Sequence, residues 1–250
     1  MNIKTDGVVL KEVLKDKLRI LTLLTKDLGV IDVVLNASTN LKGPLVGSTG
    51  LFCYSSFELF KYKDKYNLDN ADLNSLFVSV RSDLVKLSLA SYFSQLIIDV
   101  APKGEKAEEF LRLLLNSFYY FEKGTKPLAL IKAIFELRII SLAGYMPDLV
   151  ACAECGCYES EYMFFSLKNG NICCNNCVNN KNGNNEMSIK IVPSVLAAMR
   201  HIIYSDFNKL FSFIISDDSQ KLLSLITESY IEQQLEKRFT TLDFYKSICV

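Results

Sequence analysis

The sequence predicts an α+β protein in which a small closed β-barrel precedes a helical domain that carries an inserted cysteine hairpin. Three features carry that prediction. Apolar residues alternate with a period of two as far as about residue 75, and from about residue 81 the period lengthens to that of a helix. Two C-x2-C pairs fall between positions 152 and 177.

Five candidate strands occupy the N-terminal part: "TDGVVLKEV" (5–13), "RILTLLT" (19–25), "GVIDVVL" (29–35), "GLFCYSSFELFKY" (50–62) and a weaker "YNLDNADL" (66–73). Turn-forming stretches separate them: "LKDK", "KDLG" and the polar, Gly- and Pro-bearing "NASTNLKGPLVGSTG". Five short antiparallel strands of this kind suggest an OB-fold over residues 1–78. A helical domain is expected at 79–250. Its helices are read from "SDLVKLSLASYFSQLIIDVA", "EKAEEFLRLLLNSFYYFEKG", which stops at Gly124, and "KPLALIKAIFELRIISLAGY", with Pro127 near its first turn and Gly144 at its end. "VPSVLAAMRHIIYS", "FNKLFSFII" and "SQKLLSLITESYIEQQLEKR" predict further helices beyond the cysteine hairpin, and the asparagine-rich "NNKNGNNE" (179–186) reads as a solvated linker.

Residues 152–177 hold six of the eight cysteines. Cys152-Ala-Glu-Cys155 and Cys174-Asn-Asn-Cys177 are separated by 18 residues, the spacing of a four-cysteine zinc ribbon. A C-x2-C turn brings two sulfurs to one side of a tight loop, and two such turns close a tetrahedron around one ion. Gly156 follows the first knuckle, Gly170 marks a hairpin turn, and "YMFFSL" (162–167) fits as a strand between the knuckles. Cys157 and Cys173 each adjoin a knuckle and remain alternative ligands; only Cys152, Cys155, Cys174 and Cys177 give symmetric spacing. Four thiolates leave no open coordination position, so the expected zinc is single and structural, not catalytic. The insertion is expected to span about 150–186. The one histidine, His201, is too far away in sequence to complete a catalytic metal motif and reads as a partly buried helix residue.

Lys plus Arg and Asp plus Glu both total 28, which argues against a generic nucleic-acid binder, but a balanced total hides a local asymmetry. Residues 1–65 hold ten basic and seven acidic side chains, about +3 by simple count, leaving about −3 for the remainder. The charged N-terminal stretch does not read as a signal peptide, and "LSLASYFSQLII" (87–98) is too short to span a bilayer. The default compartment is therefore the reducing cytoplasm, where disulfides are unlikely.

Four stretches resemble the RecO family of bacterial recombination mediators. "TDGVVLKEVLKDKLRILTLLTKDLGVIDVV" (5–34) is similar to the family's opening segment. "FELRIISLAGYMPDLVACAECG" (135–156) is similar to its F-E-L-R, G-Y-x-P-D-L and C-x-x-C-G series, and "FFSLKNGNICCNNC" to its second knuckle, which favours Cys174 over Cys173; Asn171 stands where the family has a second glycine. "LEKRFTTLDFYKSI" is family-like as well, so the likeness spans essentially the whole chain. It implies a non-enzymatic, cytoplasmic and nucleoid-associated DNA repair protein of the RecFOR pathway. Such a protein binds single- and double-stranded DNA and anneals complementary strands. Together with RecR it displaces single-strand-binding protein so that RecA can load. The residues agree in offering binding surfaces without a nucleophile–base set or a phosphate loop.

The chain departs from the family where a basic run commonly follows the third strand: here stands "LNASTN" (35–40), with Lys42 the first cation after it. Phosphate contacts need cations. The candidates to replace them are Lys11, Lys15, Lys17 and Arg19 around the first turn, and Lys61, Lys63 and Tyr62 in "KYKDKY" (61–66), which is equally readable as a lysine-protected edge strand. The resemblance further implies that the acidic, apolar tail of single-strand-binding protein docks on the helical domain, and Arg138 is a suitable donor for its terminal carboxylate. The competing assignment is an ion pair of Arg138 with Asp148. Two other functions stay open: a protein-interaction adaptor with little DNA binding, and a redox enzyme using the cysteines.

Overall fold

The computed structural model describes residues 1–15, 18–36, 45–180 and 188–249. The strands are β1 (Asn2–Lys15), β2 (Leu18–Thr25), β3 (Gly29–Asn36), β4 (Cys53–Tyr62), β5 (Lys65–Leu76), β6 (Asp148–Cys152), β7 (Met163–Ser166), β8 (Asn171–Cys174) and β9 (Ser188–Ile191). The helices are α1 (Leu45–Ser48), α2 (Val78–Ser82), α3 (Leu84–Val100), α4 (Glu108–Lys123), α5 (Leu128–Ile140), α6 (Asn175–Asn180), α7 (Pro193–Tyr204), α8 (Asp217–Leu235) and α9 (Thr240–Ile248).

The first five strands close into a barrel in the order β1-β2-β3-β5-β4, the arrangement expected of an OB-fold within an α+β chain. Alternation drives it: Leu21 and Leu23, Ile31, Val33 and Leu35, and Phe57 and Leu59 are consecutive inward positions of three strands, and they fill the interior with Val9 and Ala71. A bulge between Val9 and Lys11 ends this rule in β1, and every residue from Lys11 to Lys15 is exposed. Closure is made by a short parallel contact, Val33 with Tyr66 and Val34 with Asn67.

By compactness the chain forms two units, Met1–Thr125 with Phe239–Val250, and Lys126–Arg238. In the first, Phe118 of α4 meets Phe52 and Phe77 edge-on at 5.5 and 5.2 Å, which joins helices to the barrel's end in one apolar core. Asp83 caps α3 by accepting from the amides of Val85 and Lys86, and Gly124 ends α4 in the left-handed region.

In the second unit α5 is buried almost all round, and its end widens into a π-type turn over Ser141–Tyr145. A four-stranded sheet follows in the order β6-β8-β7-β9. The hairpin strand expected at 162–167 is present as β7, flanked by β8 and β9, with β6 beyond β8. Asn171 lies within β8 opposite Ser166, so the left-handed position of the turn belongs to Gly170 and not to the asparagine. Most of the expected linker at 179–186 lies outside the described residues.

One expected helix is absent. "FNKLFSFII" forms turns over 207–211, and no regular element follows over 212–216. The Lys209 carbonyl explains the change: it accepts from the Ser212 amide and hydroxyl at 2.9 and 2.7 Å and approaches His201 Nε2 at 2.8 Å. A helix would give that carbonyl to the amide of Phe213, so local polar partners outcompete the helical bond.

Candidate metal centre and nucleic-acid interface

The first knuckle leaves the end of β6, and the second bridges β8 and the start of α6. Gly156 takes a positive φ of 71°, letting its amide donate to the Cys152 carbonyl at 2.9 Å and close the turn. The Cys174 amide donates to Cys152 Sγ at 3.3 Å, which ties one knuckle to the other. The sulfurs of Cys152, Cys155, Cys174 and Cys177 all lie within 4.8 Å of one another. Strand alternation separates the neighbours: Cys174 is buried toward the cluster while Cys173, one residue earlier, faces the other side of β8. Cys157 turns its thiol to the Glu159 carbonyl at 2.7 Å.

These four residues fit a tetrahedral ion. Metal–sulfur bonds of about 2.3 Å put neighbouring sulfurs about 3.8 Å apart, and Cys155 Sγ and Cys174 Sγ stand at 3.7 Å. Burial pushes the Cys152 thiol up, but amide donors from Cys155, Cys174 and Glu154 outweigh it and bring the group down to about 6. Cys177 moves the opposite way, far above the ordinary thiol range, because the thiols of Cys155 and Cys174 surround it. One thiolate forms readily and the next is resisted, a conflict that a bound cation removes.

Three side chains that the sequence reading missed hold the hairpin. Arg200 of α7 donates to the Leu149, Val150 and Tyr158 carbonyls at 2.7 to 3.0 Å and stacks over the Tyr158 ring at 4.0 Å. Tyr230 of α8 donates to the Tyr145 carbonyl at 2.9 Å and lies against Gly170, and Gln234 donates to the Leu167 carbonyl at 2.7 Å. Only the helical period hinted at them; their partners are backbone carbonyls, which carry no residue-type signal.

The expected DNA contacts divide. Lys11 and Lys15 are exposed on the end of β1 that pairs with β2 alone, while Lys17 and Lys42 lie outside the described residues. Arg19 differs from expectation. It is 9% exposed, pairs with Glu12 at 2.5 Å and donates to the Thr49 hydroxyl and carbonyl at 2.7 and 2.8 Å. Its guanidinium fastens the β1–β2 ribbon instead of facing solvent. Lys61, Tyr62 and Lys63 sit at the β4–β5 turn, with Lys61 over the Tyr66 ring at 5.1 Å and Lys63 over Tyr62 at 5.7 Å.

Arg138 also has an internal post. It donates to the carbonyls of Ile202 and Ile203 in the last turn of α7 and stacks on Phe207 at 4.7 Å, so the pairing considered with Asp148 is replaced by a helix C-cap. Its neighbour Glu136 is wholly buried, accepting from Lys132 and from the Thr227 hydroxyl, the latter at 2.7 Å.

Comparison with known proteins agrees with this architecture. Residues 81–243 match the family model described as "Recombination protein O C terminal". The chain is 34% identical over 247 residues to a DNA repair protein RecO of Acetivibrio thermocellus, covering 98% of this chain and 97% of that protein. It is 30% identical to the DNA repair protein RecO of Caldicellulosiruptor saccharolyticus, covering 98% of each, and 27% identical to that of Alkaliphilus metalliredigens, covering 99% of this chain and 100% of that protein. With the barrel, the helices and the four-cysteine cluster in place, the chain belongs to the RecO family of DNA repair proteins.

Proposed function

We propose that this protein is a non-catalytic recombination mediator. It binds single- and double-stranded DNA, anneals complementary strands and, with RecR, helps RecA to load on strands coated by single-strand-binding protein. The observation that carries the proposal is the full-length likeness to proteins named DNA repair protein RecO. The barrel of residues 1–78 is the proposed DNA-binding domain, through Lys11, Lys15, Lys61, Lys63 and Tyr62. The remainder is the proposed scaffold for protein partners. Zinc is the proposed ion of the cysteine cluster: a closed sulfur set supplies no open coordination site, so the ion acts as a cross-link that fixes the hairpin. A place in the cytoplasm, at the nucleoid, follows from the role. Among the described residues no helix is long and apolar enough to cross a membrane.

The test is complementary-strand annealing over a salt series, with and without single-strand-binding protein. Acceleration that fades as salt rises is expected. Absence of both annealing and DNA retention at low salt, with capture of RecR intact, selects the adaptor function instead.

A further inference from the structure

We infer that Lys103, in the segment joining α3 to α4, completes a single-strand-binding groove on the barrel together with Lys11 and Lys61. The inference deepens the DNA-binding function proposed above and rests on it.

The groove encloses about 750 Å³, and lysines from three separate elements line it. One wall is a row of opposed residues, Lys11 of β1, Thr22 of β2 and Asp32 of β3, which share a face because directly paired positions do. The other is the pair Lys61–Tyr66 across β4 and β5, joined to the first by the Val33–Tyr66 contact. The third side comes from outside the barrel. The Val30 amide donates to the Pro102 carbonyl and the Gly104 amide to the Leu28 carbonyl, each at 2.9 Å, and Lys103 bridges Gly29 as a strand residue would.

Gly29 makes that stitching possible. Its φ is +63°, and a Cβ there would stand 2.0 Å from the Pro102 carbonyl oxygen. Lys103 therefore projects from a fixed backbone, exposed, and only its own side chain must order on binding.

Three ammonium groups line the cleft against the two carboxylates of Asp32 and Asp64, a positive excess that suits the phosphates of a nucleic-acid strand, and Tyr66 offers an aromatic surface to a base. Asp32, held by the Thr22 hydroxyl at 2.7 Å, is an acceptor for the exocyclic amino group of a base. A base face free to lie on Tyr66 exists only where the strand is unstacked, so the occupant that fits is a single strand. The groove also supplies a cation that the stretch at 35–40 lacks, from a segment some sixty residues further on.

The experiment is equilibrium binding of a fluorescent oligothymidine and of an adenine-containing single strand to the full chain over a salt series. The proteins are wild type, Lys103→Ala, Lys103→Arg, Lys11→Ala, Lys61→Ala and, as control, the exposed Lys221→Ala in α8. Removing one phosphate contact should lower the slope of log affinity against log salt by about 0.7 and weaken binding several-fold at low salt, with Arg restoring both. Lys221→Ala should match wild type. If Lys103→Ala keeps the wild-type slope and affinity while Lys11→Ala and Lys61→Ala lose theirs, Lys103 is not in the site, though the DNA-binding function stands. If wild type retains neither oligonucleotide at low salt, both fall.

Discussion

Lys132 Nζ lies 2.9 Å from a carboxylate oxygen of Glu136 one turn along α5, with the two side chains 3% and 0% exposed. Glu228 of α8 approaches the same ammonium at 3.0 Å. An ion cluster this deep is costly to form and costlier to break, since a lone partner is left charged in an apolar core. Lys132→Met should therefore destabilise the fold by about 3–5 kcal/mol, whereas replacing Lys132, Glu136 and Glu228 together by apolar residues should cost much less. Denaturant titration of the single and triple variants separates the two. Burial lowers the affinity of Lys132 for its proton, but Glu136 and Glu228 more than reverse this and raise it above the ordinary 10.5. The stabilisation is thus complete below about pH 10.5 and lost as pH climbs through the raised folded value. On the alkaline side the gap between wild type and Lys132→Met should close through that range.

The next residue but one has a separate task. Arg138 caps α7 and stacks on Phe207, so Arg138→Ala should lower stability by about 2 kcal/mol through lost carbonyl bonds and lost ring contact. Arg138→Lys keeps the charge but not the planar stack, and should recover only part. Thermal melts of the pair decide this, and an Arg138→Ala protein as stable as wild type overturns the capping role.

The cysteine cluster predicts a graded series. Cys152→Ser and Cys174→Ser, each removing a buried ligand, should lose the metal and with it folding stability, because metal-binding energy is folding energy here. Cys157→Ser and Cys53→Ser should keep one metal per chain by elemental analysis. Metal loss at Cys157 would mean that its contact with Glu159 is exchanged for coordination.

The two knuckles could be read from sequence because metal ligation demands a residue type at a fixed spacing, and the barrel because period-two burial is written directly in Leu21, Leu23, Ile31, Val33 and Leu35. What was illegible depends on distant partners. Arg19 reads as one more cation in a basic turn, and only the approach of Thr49, thirty residues on, withdraws it from the surface. "FNKLFSFII" has a composition compatible with a helix, and the deciding competitor, His201, comes from the preceding helix. The F-E-L-R stretch advertises two charges, and Lys132 one turn earlier is a local partner for Glu136, yet nothing local reveals that Glu136 also faces Thr227 while Arg138 faces the end of α7.

Gly170 and Tyr230 offer a test of how the hairpin is held. Gly170 sits at φ +63°, and an added Cβ would lie 2.5 Å from the Tyr230 hydroxyl. Gly170→Ala should cost more than the roughly 1–2 kcal/mol of the backbone conformation alone, since the tyrosine must also retreat. Tyr230→Phe should cost about 1 kcal/mol for the bond to the Tyr145 carbonyl. In the double variant the clash with the hydroxyl is gone, so the two costs should sum to less than their separate values by at least about 0.5 kcal/mol. Strict additivity, measured by denaturant unfolding of all four proteins, would show that α8 does not fix the β7–β8 turn.

Lys63 closes the β4–β5 turn at φ 52°, a conformation that costs a lysine about 1 kcal/mol relative to glycine once the entropy of glycine is counted. A residue chosen for stability alone would be glycine there. Lys63→Gly should raise the midpoint of thermal unfolding by a few degrees while lowering the salt-dependent affinity for single strands, because the ammonium beside Tyr62 goes with it. Stability rising with DNA affinity unchanged would assign the lysine to solvent and move the contact surface of this hairpin to Lys61 and Tyr66.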